Sequence, residues 1–242
     1  PYRVFVGSRA TARALRPLDG RRRLSVVNEG LDVARFHRDS RRLARDAARA
    51  RLGVGAGEVV LLALGTVCPR KGQRDLLGAL ERMPPALWPR LRCFVVGGRD
   101  NPYNRDLLKR AGRLPDGLRG RFHVVEETLE TGPYWAAADV FVHCSRAESW
   151  SRVVLEAMAM GLPIVATPAP GVPEQARENE NALFYPDGDA PALARLLARL
   201  LEDPAERGRL AAASPVVLAG LRDLDEMARV YADALFEALL SV

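Results

Sequence analysis

Short apolar runs alternate with longer amphipathic stretches along nearly the whole chain. Runs such as Val59–Leu64 and Cys93–Val96 are apolar throughout, as expected for strands that helices cover on both faces. The predicted strands are Tyr2–Val6, Leu24–Val27, Val59–Leu64, Arg92–Val96, Phe122–Val125, Val140–His143, Pro163–Ala166 and Ala182–Phe184. The predicted helices are Asp39–Leu52, Gln73–Arg82, Asn104–Ala111, Gly132–Ala138, Ser151–Met160, Ala190–Glu202, Pro204–Ala213 and Arg222–Leu240. This alternation predicts an α/β fold, a Rossmann-like doubly wound parallel sheet.

The pattern divides the chain into three parts. Residues 39–223 contain a complete doubly wound unit with its own apolar strands. A break near residues 28–38 separates this unit from a first β-α-β segment in residues 1–38. The last helix, in residues 224–242, has one apolar stripe that should pack against another element. The stripe consists of Leu224, Met227, Tyr231 and Leu235.

Composition indicates a globular cytoplasmic protein. The 242 residues are 48% hydrophobic and 27% charged, and no apolar run approaches the ~18–20 residues of a membrane span. The cysteines lack a C-x-x-C pair and are interpreted as reduced thiols; they are Cys68, Cys93 and Cys144. The three histidines are scattered, so no metal cluster is visible. The chain starts at Pro1 without a basic-then-apolar leader, and we expect a piece of a longer protein.

Positive charge is concentrated in the N-terminal quarter of the chain. Residues 1–55 contain 14 arginines and five acidic residues, whereas the remainder is net acidic. Arg41, Arg45 and Arg49 would form one stripe on a helix. Such a stripe suits phosphates or the anionic inner face of a membrane, and the alternative is a solvated helix face. The acidic remainder lacks a basic–aromatic pattern, so we expect no nucleic-acid partner.

The loop from Gly65 to Gly72 follows the strand Val59–Leu64. In a parallel sheet, ligands bind beyond the carboxyl ends of the strands. A glycine at the end of the strand lets the backbone approach a ligand, and Arg70 and Lys71 supply two cations just before a helix. These features predict a diphosphate site, while a basic surface turn is the alternative.

A second loop, with Glu148, follows the strand Val140–His143 and leads into a helix that is apolar nearly all round. Glu156 lies in the second turn of this helix, where a buried carboxylate requires a partner. A ribose diol would satisfy it, and a neighbouring arginine is the alternative. The backbone donors of residues 151–153 should point towards the same edge of the sheet.

These two loops resemble the donor-binding half of retaining glycosyltransferases of family four, which have the GT-B fold. Glu148 and Glu156 match the E-x7-E signature, and the later motifs GLPIVAT, GVPEQ and ENENALFY follow in the family's order. The resemblance extends from about Ser25 to Leu240, and VVNEGLDVARF resembles the interdomain junction. Tyr2–Leu18 resembles the end of the N-terminal, acceptor-binding domain, whose front is absent from this sequence.

The resemblance implies a role for each matching residue. Glu148 would contact sugar hydroxyls, Lys71 and Arg70 would neutralise the leaving diphosphate, and Glu156 would hold the ribose. The residues that it places on the nucleotide sugar are Gly65, Thr66, Ser149, Trp150, Ser151, Arg152, Val153 and Glu156, and the catalytic ones are Glu148, Lys71 and Arg70. Many members have arginine where this chain has Thr66, and Arg70 is the candidate replacement for its charge. Trp150 either stacks near the donor or packs in the core.

The resemblance further implies a hexosyl transfer with retention from a nucleotide-diphosphate sugar, without metal or other cofactor, in polysaccharide or glycoconjugate biosynthesis. The acceptor would be a glycan, a lipid-linked sugar or a small molecule. Without the front of the acceptor domain, we expect donor binding with little transfer. The alternatives are a nucleotide-sugar-binding protein without transfer and a nucleotide-sugar epimerase of the same fold.

Asp187 and Asp189 form a D-x-D sequence of the kind found in metal-dependent glycosyltransferases of another fold. Because a helical pattern begins directly after it, Asp189 is better interpreted as a helix N-cap.

Overall fold

The computed structural model of the chain describes residues 3–18, 23–221 and 223–240. In these ranges the strands are β1 (Arg3–Val6), β2 (Arg23–Val26), β3 (Val59–Leu64), β4 (Leu91–Gly98), β5 (Phe122–Glu126), β6 (Val140–His143), β7 (Ile164–Ala166) and β8 (Ala182–Phe184). The helices are α1 (Arg9–Leu15), α2 (Val33–Ser40), α3 (Arg45–Arg51), α4 (Gln73–Arg82), α5 (Pro102–Ala111), α6 (Asp116–Arg119), α7 (Gly132–Ala137), α8 (Arg152–Ala159), α9 (Ala190–Glu202), α10 (Pro204–Ala219) and α11 (Leu224–Leu240). The predicted strand Tyr2–Val6 and the predicted helix Arg222–Leu240 begin at residues that lie outside the described ranges.

Six strands form one parallel sheet in the order β5-β4-β3-β6-β7-β8. After β3 the chain moves outward through β4 and β5 and then returns to the other side of β3 as β6. This reversal is the topological switch point of a doubly wound sheet, where a crevice for ligands opens beyond the carboxyl ends of the strands. The predicted sheet is therefore confirmed, and its crevice follows Leu64 and His143.

Apolar side chains cover both faces of this sheet. In β3, Leu61 and Ala63 pack into a cluster with α4 and α9, whereas Val60 and Leu62 pack into a second cluster with α7 and α8. Because successive side chains of a strand point to opposite faces, a strand covered on both sides must be apolar at every position. The packed strands hold the loops at their carboxyl ends in place.

The predicted helix Asp39–Leu52 is wrong, because the chain forms α2 and α3 with Arg41–Ala44 between them. Ala44 has an extended backbone, with φ −61° and ψ 149°. This break brings Arg45 to the end of α7, where its Nη1 lies 2.8 Å from the carbonyl oxygen of Ala138 and also contacts the two preceding carbonyls. A helix leaves its last carbonyls without intrahelical partners, and this guanidinium satisfies them.

As a result, Arg41, Arg45 and Arg49 do not form a single helical stripe. Arg45 and Arg49 both bind the carboxylate of Asp139, the second at 3.1 Å, and Arg49 also donates to the carbonyl of Glu58 at 2.6 Å. Two of the three cations are thus used within the protein, at the amino edge of the sheet. Contact of the basic N-terminal part with a membrane surface stays a prediction, and it no longer has this stripe as its basis.

β1 and β2 form a separate two-stranded parallel sheet. α11 contacts this sheet, because the ring centroid of Tyr231 lies 5.1 Å from that of Phe5. The start of α11 also lies against the chain at Gly30, whose amide is 3.4 Å from the sulfur of Met227. The division of the chain at residues 38 and 223 stays a prediction. Within the described ranges, no helix combines the length and the apolar character that crossing a membrane requires.

Candidate active site

The two loops singled out in the sequence lie side by side at the switch point. The amide of Arg146 donates to the carbonyl of Arg70 at 2.8 Å. Gly72 has a left-handed backbone, with φ +65°, and a Cβ at this position would overlap the carbonyl oxygen of Cys144. Glycine is therefore needed at position 72 both for its backbone conformation and for the close approach of the two loops.

Glu148 is the centre of a group that we call the Glu148 cluster: Arg70, Lys71, Ser145 and Glu148. Its Oε1 accepts hydrogen bonds from Arg70 Nη1 at 3.0 Å, from Ser145 Oγ at 2.8 Å and from Lys71 Nζ. The Glu148 side chain is only 8% exposed. Burial alone would raise the pKa of its carboxyl group, but the Lys71 cation, with help from the Ser145 hydroxyl, holds this pKa below its ordinary value. The structure thus brings together the three residues predicted to be catalytic.

Sequence reasoning missed Ser145 and His143. His143 ends β6 and is buried, with its Nε2 3.4 Å from Ser151 Oγ and 3.7 Å from Glu148 Oε1. Burial and the nearby Lys71 cation lower the pKa of its imidazole to about 3, so the ring is neutral near pH 7. The available signal was a polar residue at the end of an otherwise apolar strand that leads into the acidic loop.

Gly65 and Thr66 lie in the basic loop as predicted. Gly65 has φ +134°, and a Cβ there would lie 3.6 Å from the side chain of Lys71, so the loop backbone runs close to this cation. Gln73 holds the loop by donating to the carbonyl of Thr66 at 3.1 Å. The guanidinium of Arg70 extends from the basic loop to the acidic loop, which contains Glu148. There it donates hydrogen bonds to Glu148 and to the carbonyl of Ala147.

The residues leading into α8 are partly used by the protein itself. The Ser151 amide was predicted to bind phosphate, but it already donates to Gln175 Oε1 at 2.9 Å. Ser149 Oγ lies 2.9 Å from the hydroxyl of Thr11 in α1. In the part of the chain that the structure describes, the amides of Arg152 and Val153 have no hydrogen-bond partner. These two amides are therefore the donors that α8 offers to an anion.

Trp150 packs partly buried against the second apolar cluster. Its indole Nε1 donates to the carbonyl of Glu29 at 2.9 Å. The side chain thus packs at the segment predicted to be the interdomain junction, and stacking near the donor stays a prediction.

Glu156 faces an arginine and lines a cavity. Its Oε1 accepts from Arg152 Nε at 3.2 Å, and Arg152 also reaches the carboxylate of Glu29 at 3.4 Å. Burial raises the pKa of the Glu156 carboxyl group, with Arg152 opposing the rise. The cavity has a volume of about 580 Å³, and Leu129 and Pro133 line it with Glu156. In the structure, the partner of the Glu156 carboxylate is therefore a neighbouring arginine. Its contact with a ribose diol stays a prediction.

The D-x-D sequence has structural partners. Asp189 caps α9, because its Oδ1 accepts from the amide of Ala192 at 2.8 Å, and this prediction is confirmed. Asp187 pairs with Arg146 at 3.2 Å. Among the described residues, no group of three or more His, Cys, Asp or Glu side chains is arranged to hold a metal ion.

Comparisons with known proteins point to one family. A sequence model of the family described as glycosyl transferases group 1 matches residues 58–203, more than half of the chain. The chain is 34% identical over 173 residues to the lipopolysaccharide core biosynthesis glycosyltransferase LpsE of Rhizobium meliloti, covering 71% of this chain and 48% of LpsE. It is 37% identical over 190 residues to the D-inositol 3-phosphate glycosyltransferase of Geodermatophilus obscurus, covering 74% of this chain and 41% of that protein.

A solved structure has the same architecture. The crystal structure of Anabaena HepE in complex with UDP and glucose superposes with a TM-score of 0.81 and 26% identity, covering 96% of this chain and 62% of HepE. The chain spans about half the length of the curated relatives it matches. The family match and these relatives favour a glycosyltransferase over an epimerase. The chain therefore has the Rossmann-like sheet of the GT-B glycosyltransferases and belongs to the group 1 glycosyltransferase family.

Proposed function

We propose that this chain binds a nucleotide-diphosphate sugar at the switch point of its sheet and serves a retaining glycosyltransferase of family four. The observation that carries the proposal is the meeting of Arg70 and Lys71 on Glu148, beside the unpartnered amides of Arg152 and Val153. Two cations and two helix N-terminal donors form a site for a diphosphate. The complex of HepE with UDP and glucose supports a donor of this class.

In this proposal, breakage of the bond between the anomeric carbon and the phosphate oxygen leaves negative charge on the diphosphate. Lys71, Arg70 and the N-terminus of α8 stabilise this charge because they are already positioned before the bond breaks. Side-chain cations supply the countercharge, so the reaction requires no metal. Glu148 binds sugar hydroxyls, and the donor phosphate assists deprotonation of the acceptor on the same face of the sugar.

Donor binding involves an exchange of partners at Lys71. In the donor-free protein the ammonium group bonds the ionised carboxylate of Glu148. An arriving diphosphate competes for that ammonium group, and the sugar hydroxyls take over part of the acceptor capacity of Glu148. The ribose diol binds Glu156 at the 580 Å³ cavity, where Arg152 is its present partner.

The acceptor is a glycan, a lipid-linked sugar or a small molecule, and the transferred unit is a hexose. The 242 residues bind the donor. They span about half the length of the relatives, and we expect them to transfer little sugar by themselves. Placement of the protein in the cytoplasm is part of the same proposal and rests on the three free cysteines. Peripheral contact with the inner face of a membrane rests on the basic N-terminal part.

A thermal-shift screen of UDP-, GDP- and ADP-sugars against the purified chain tests the proposal, with and without EDTA. A ligand at about 100 times its Kd should raise the melting temperature by about 5–10 °C. The increase should persist in EDTA because the proposed countercharges are side chains. The absence of any shift would refute the donor site, and a shift that requires Mn²⁺ or Mg²⁺ would refute metal independence. Turnover of the donor by the purified chain in the absence of any acceptor would favour an epimerase.

A further inference from the structure

Arg146 connects three segments behind the Glu148 cluster. Its Nη1 donates to the carbonyl of Pro69 at 3.1 Å, and its Nη2 donates to both carboxylate oxygens of Asp75, at 3.2 and 3.0 Å. Its Nε lies 3.2 Å from Asp187 Oδ1. The guanidinium therefore joins the basic loop, the first turn of α4 and the loop that leads into α9, and these three contacts leave in different directions.

Arg146 also lies between Ser145 and Glu148 in the chain, in a stretch that bonds the basic loop. Its own amide donates to the carbonyl of Arg70, and the hydroxyl oxygen of the preceding residue, Ser145, which donates to Glu148, also lies 3.2 Å from that carbonyl. The carbonyl of the following residue, Ala147, accepts from Arg70 Nη1 at 2.9 Å. Any displacement of Arg146 therefore moves the acidic loop, with Glu148, relative to the basic loop, with Lys71.

We propose that Arg146, held by Asp75 and Asp187, is a positioning residue that sets the distance between the Lys71 cation and the Glu148 carboxylate. The guanidinium acts through the loops, because among the described residues it bonds no side chain of the Glu148 cluster. The first aspartate of the D-x-D sequence thereby gains a role other than metal binding. This inference rests on the proposed donor site.

Lysine cannot replace arginine in this role. A guanidinium is a planar fork with donors fixed in several directions, whereas an ammonium group is a single charged point on a flexible stem. The Asp75 side chain is only 13% exposed, so complete removal of the guanidinium would leave a buried carboxylate unpaired. Asp187→Asn is the gentler variant, because the Asp187 side chain is half exposed and the contact between Arg146 and Asp75 stays.

The first test needs no ligand. The pKa of the Glu148 carboxyl group is measured by carbon NMR titration, with Glu148→Gln to assign the signal. It should rise towards its ordinary value in Arg146→Lys, and by less in Asp187→Asn, because Lys71 and Arg70 no longer sit at the same distance. Arg119→Lys is the matched control, since Arg119 likewise bonds a carboxylate and a carbonyl but lies before β5, at the amino edge. An unchanged Glu148 pKa in both variants would overturn the proposal.

The second test compares UDP, GDP and ADP with the corresponding nucleosides by calorimetry. Asp187→Asn should weaken diphosphate binding about 3- to 10-fold and leave nucleoside binding unchanged, and this loss should disappear in a Lys71→Ala background. Equal losses for both ligands, or losses that add to that of Lys71→Ala, would indicate a merely structural role and overturn the proposal. If the unmodified protein binds none of the diphosphates, the proposed function fails, while the titration still decides the role of Arg146.

Discussion

Lys71 provides the sharpest test at the scale of single residues, because the chain has only one other lysine. Lys71→Ala should weaken binding of a nucleoside diphosphate by about 1.5–3 kcal/mol, the size of a lost charge-assisted hydrogen bond. Binding of the nucleoside alone should not change, since the ammonium group is expected to meet only phosphate. Lys109→Ala is the matched control, an exposed lysine on α5. Calorimetry that gives equal losses for both ligands would remove Lys71 from the diphosphate site.

The two glutamates should affect stability in opposite directions. The folded protein lowers the pKa of Glu148 and raises that of Glu156. At pH 7 the fold therefore favours the charged form of Glu148 and disfavours the charged form of Glu156. Glu148→Gln should lower the melting temperature and Glu156→Gln should raise it, because Arg152 is largely exposed and loses little when its partner is neutral.

The pH dependence checks the sign of both effects. The stability that Glu148 contributes is present above its unfolded pKa and is lost as the pH falls through its lower folded pKa. The penalty at Glu156 disappears as the pH falls through its raised folded pKa. In acid, the melting temperatures of both variants should therefore approach that of the unmodified protein. Two shifts of the same sign at pH 7 would contradict this account.

The same two substitutions should also differ in which part of the ligand they affect. Glu156→Gln should weaken nucleoside binding, because an amide replaces only part of the acceptor capacity that a ribose diol needs. Glu148→Gln should change nucleoside-diphosphate affinity only modestly, because its proposed partner is the sugar, while any sugar transfer falls strongly. The same pattern in both variants, measured by calorimetry and turnover, would show that the two glutamates do not divide the donor between them.

At the residue scale, the family resemblance implied one donor site with Arg70, Lys71 and Glu148, and the sequence itself predicted only that both loops lie at the carboxyl edge of the sheet. It did not predict that Gln175 takes the amide of Ser151, or that Ser145 bonds Glu148. Those contacts depend on loop conformations that alternating hydrophobicity does not specify. They are set by backbone positions such as the close approach at Gly72.

At the scale of elements, Gly72 joins the two loops and tests whether their close approach matters. Gly72→Ala should destabilise the protein by more than the roughly 1–2 kcal/mol of left-handed strain alone, because the new Cβ would overlap Cys144. It should also weaken nucleoside-diphosphate binding. Gly53→Ala is matched in backbone conformation, with φ +65° in both cases, but a Cβ there meets open space. Urea unfolding and calorimetry that give equal effects for the two variants would show that only backbone strain is at work.

Element boundaries followed the sequence where burial set the pattern. β3, β6, β8, α4 and α9 have the predicted bounds, because their apolar residues are those that the core requires. The prediction failed at Asp39–Leu52, where Arg45 turns to cap α7 and breaks the helix. The short helix α1 was not predicted, since the carboxylate of Glu174, far along the chain, accepts its first two amides at 3.0 and 2.7 Å. Long-range polar contacts of this kind leave no local periodic signal.

At the scale of the whole molecule, part of the positive charge of the N-terminal quarter is paired with carboxylates among the described residues. Arg45 and Arg49 share Asp139, and Arg51 makes a two-pronged ion pair with Glu130 at 2.9 Å for both contacts. An arginine-rich segment therefore serves partly to attach the first helices to the main sheet. Any electrostatic attraction to a membrane has to come from the remaining arginines of the N-terminal part.

These 242 residues should bind the donor on their own but transfer little sugar. The proposed donor site is built from β3, β6 and the loops after them, which belong to a sheet with apolar clusters on both faces, so donor binding should persist in the isolated chain. Efficient transfer also requires an acceptor wall and the exclusion of water from the crevice. The chain spans about half the length of its relatives.

We therefore expect calorimetry to show binding of a nucleotide-diphosphate sugar, while assays with a panel of glycan, lipid-linked and small-molecule acceptors show little transfer. Lys71→Ala serves as the control for both measurements, since it should reduce binding and any residual turnover together. Side chains such as Leu235, Phe236 and Leu239 on α11 are more than half exposed, which favours self-association, so the assays should include light scattering. Rapid transfer by a monomer of these 242 residues would place the acceptor site within them and contradict the proposed division of labour.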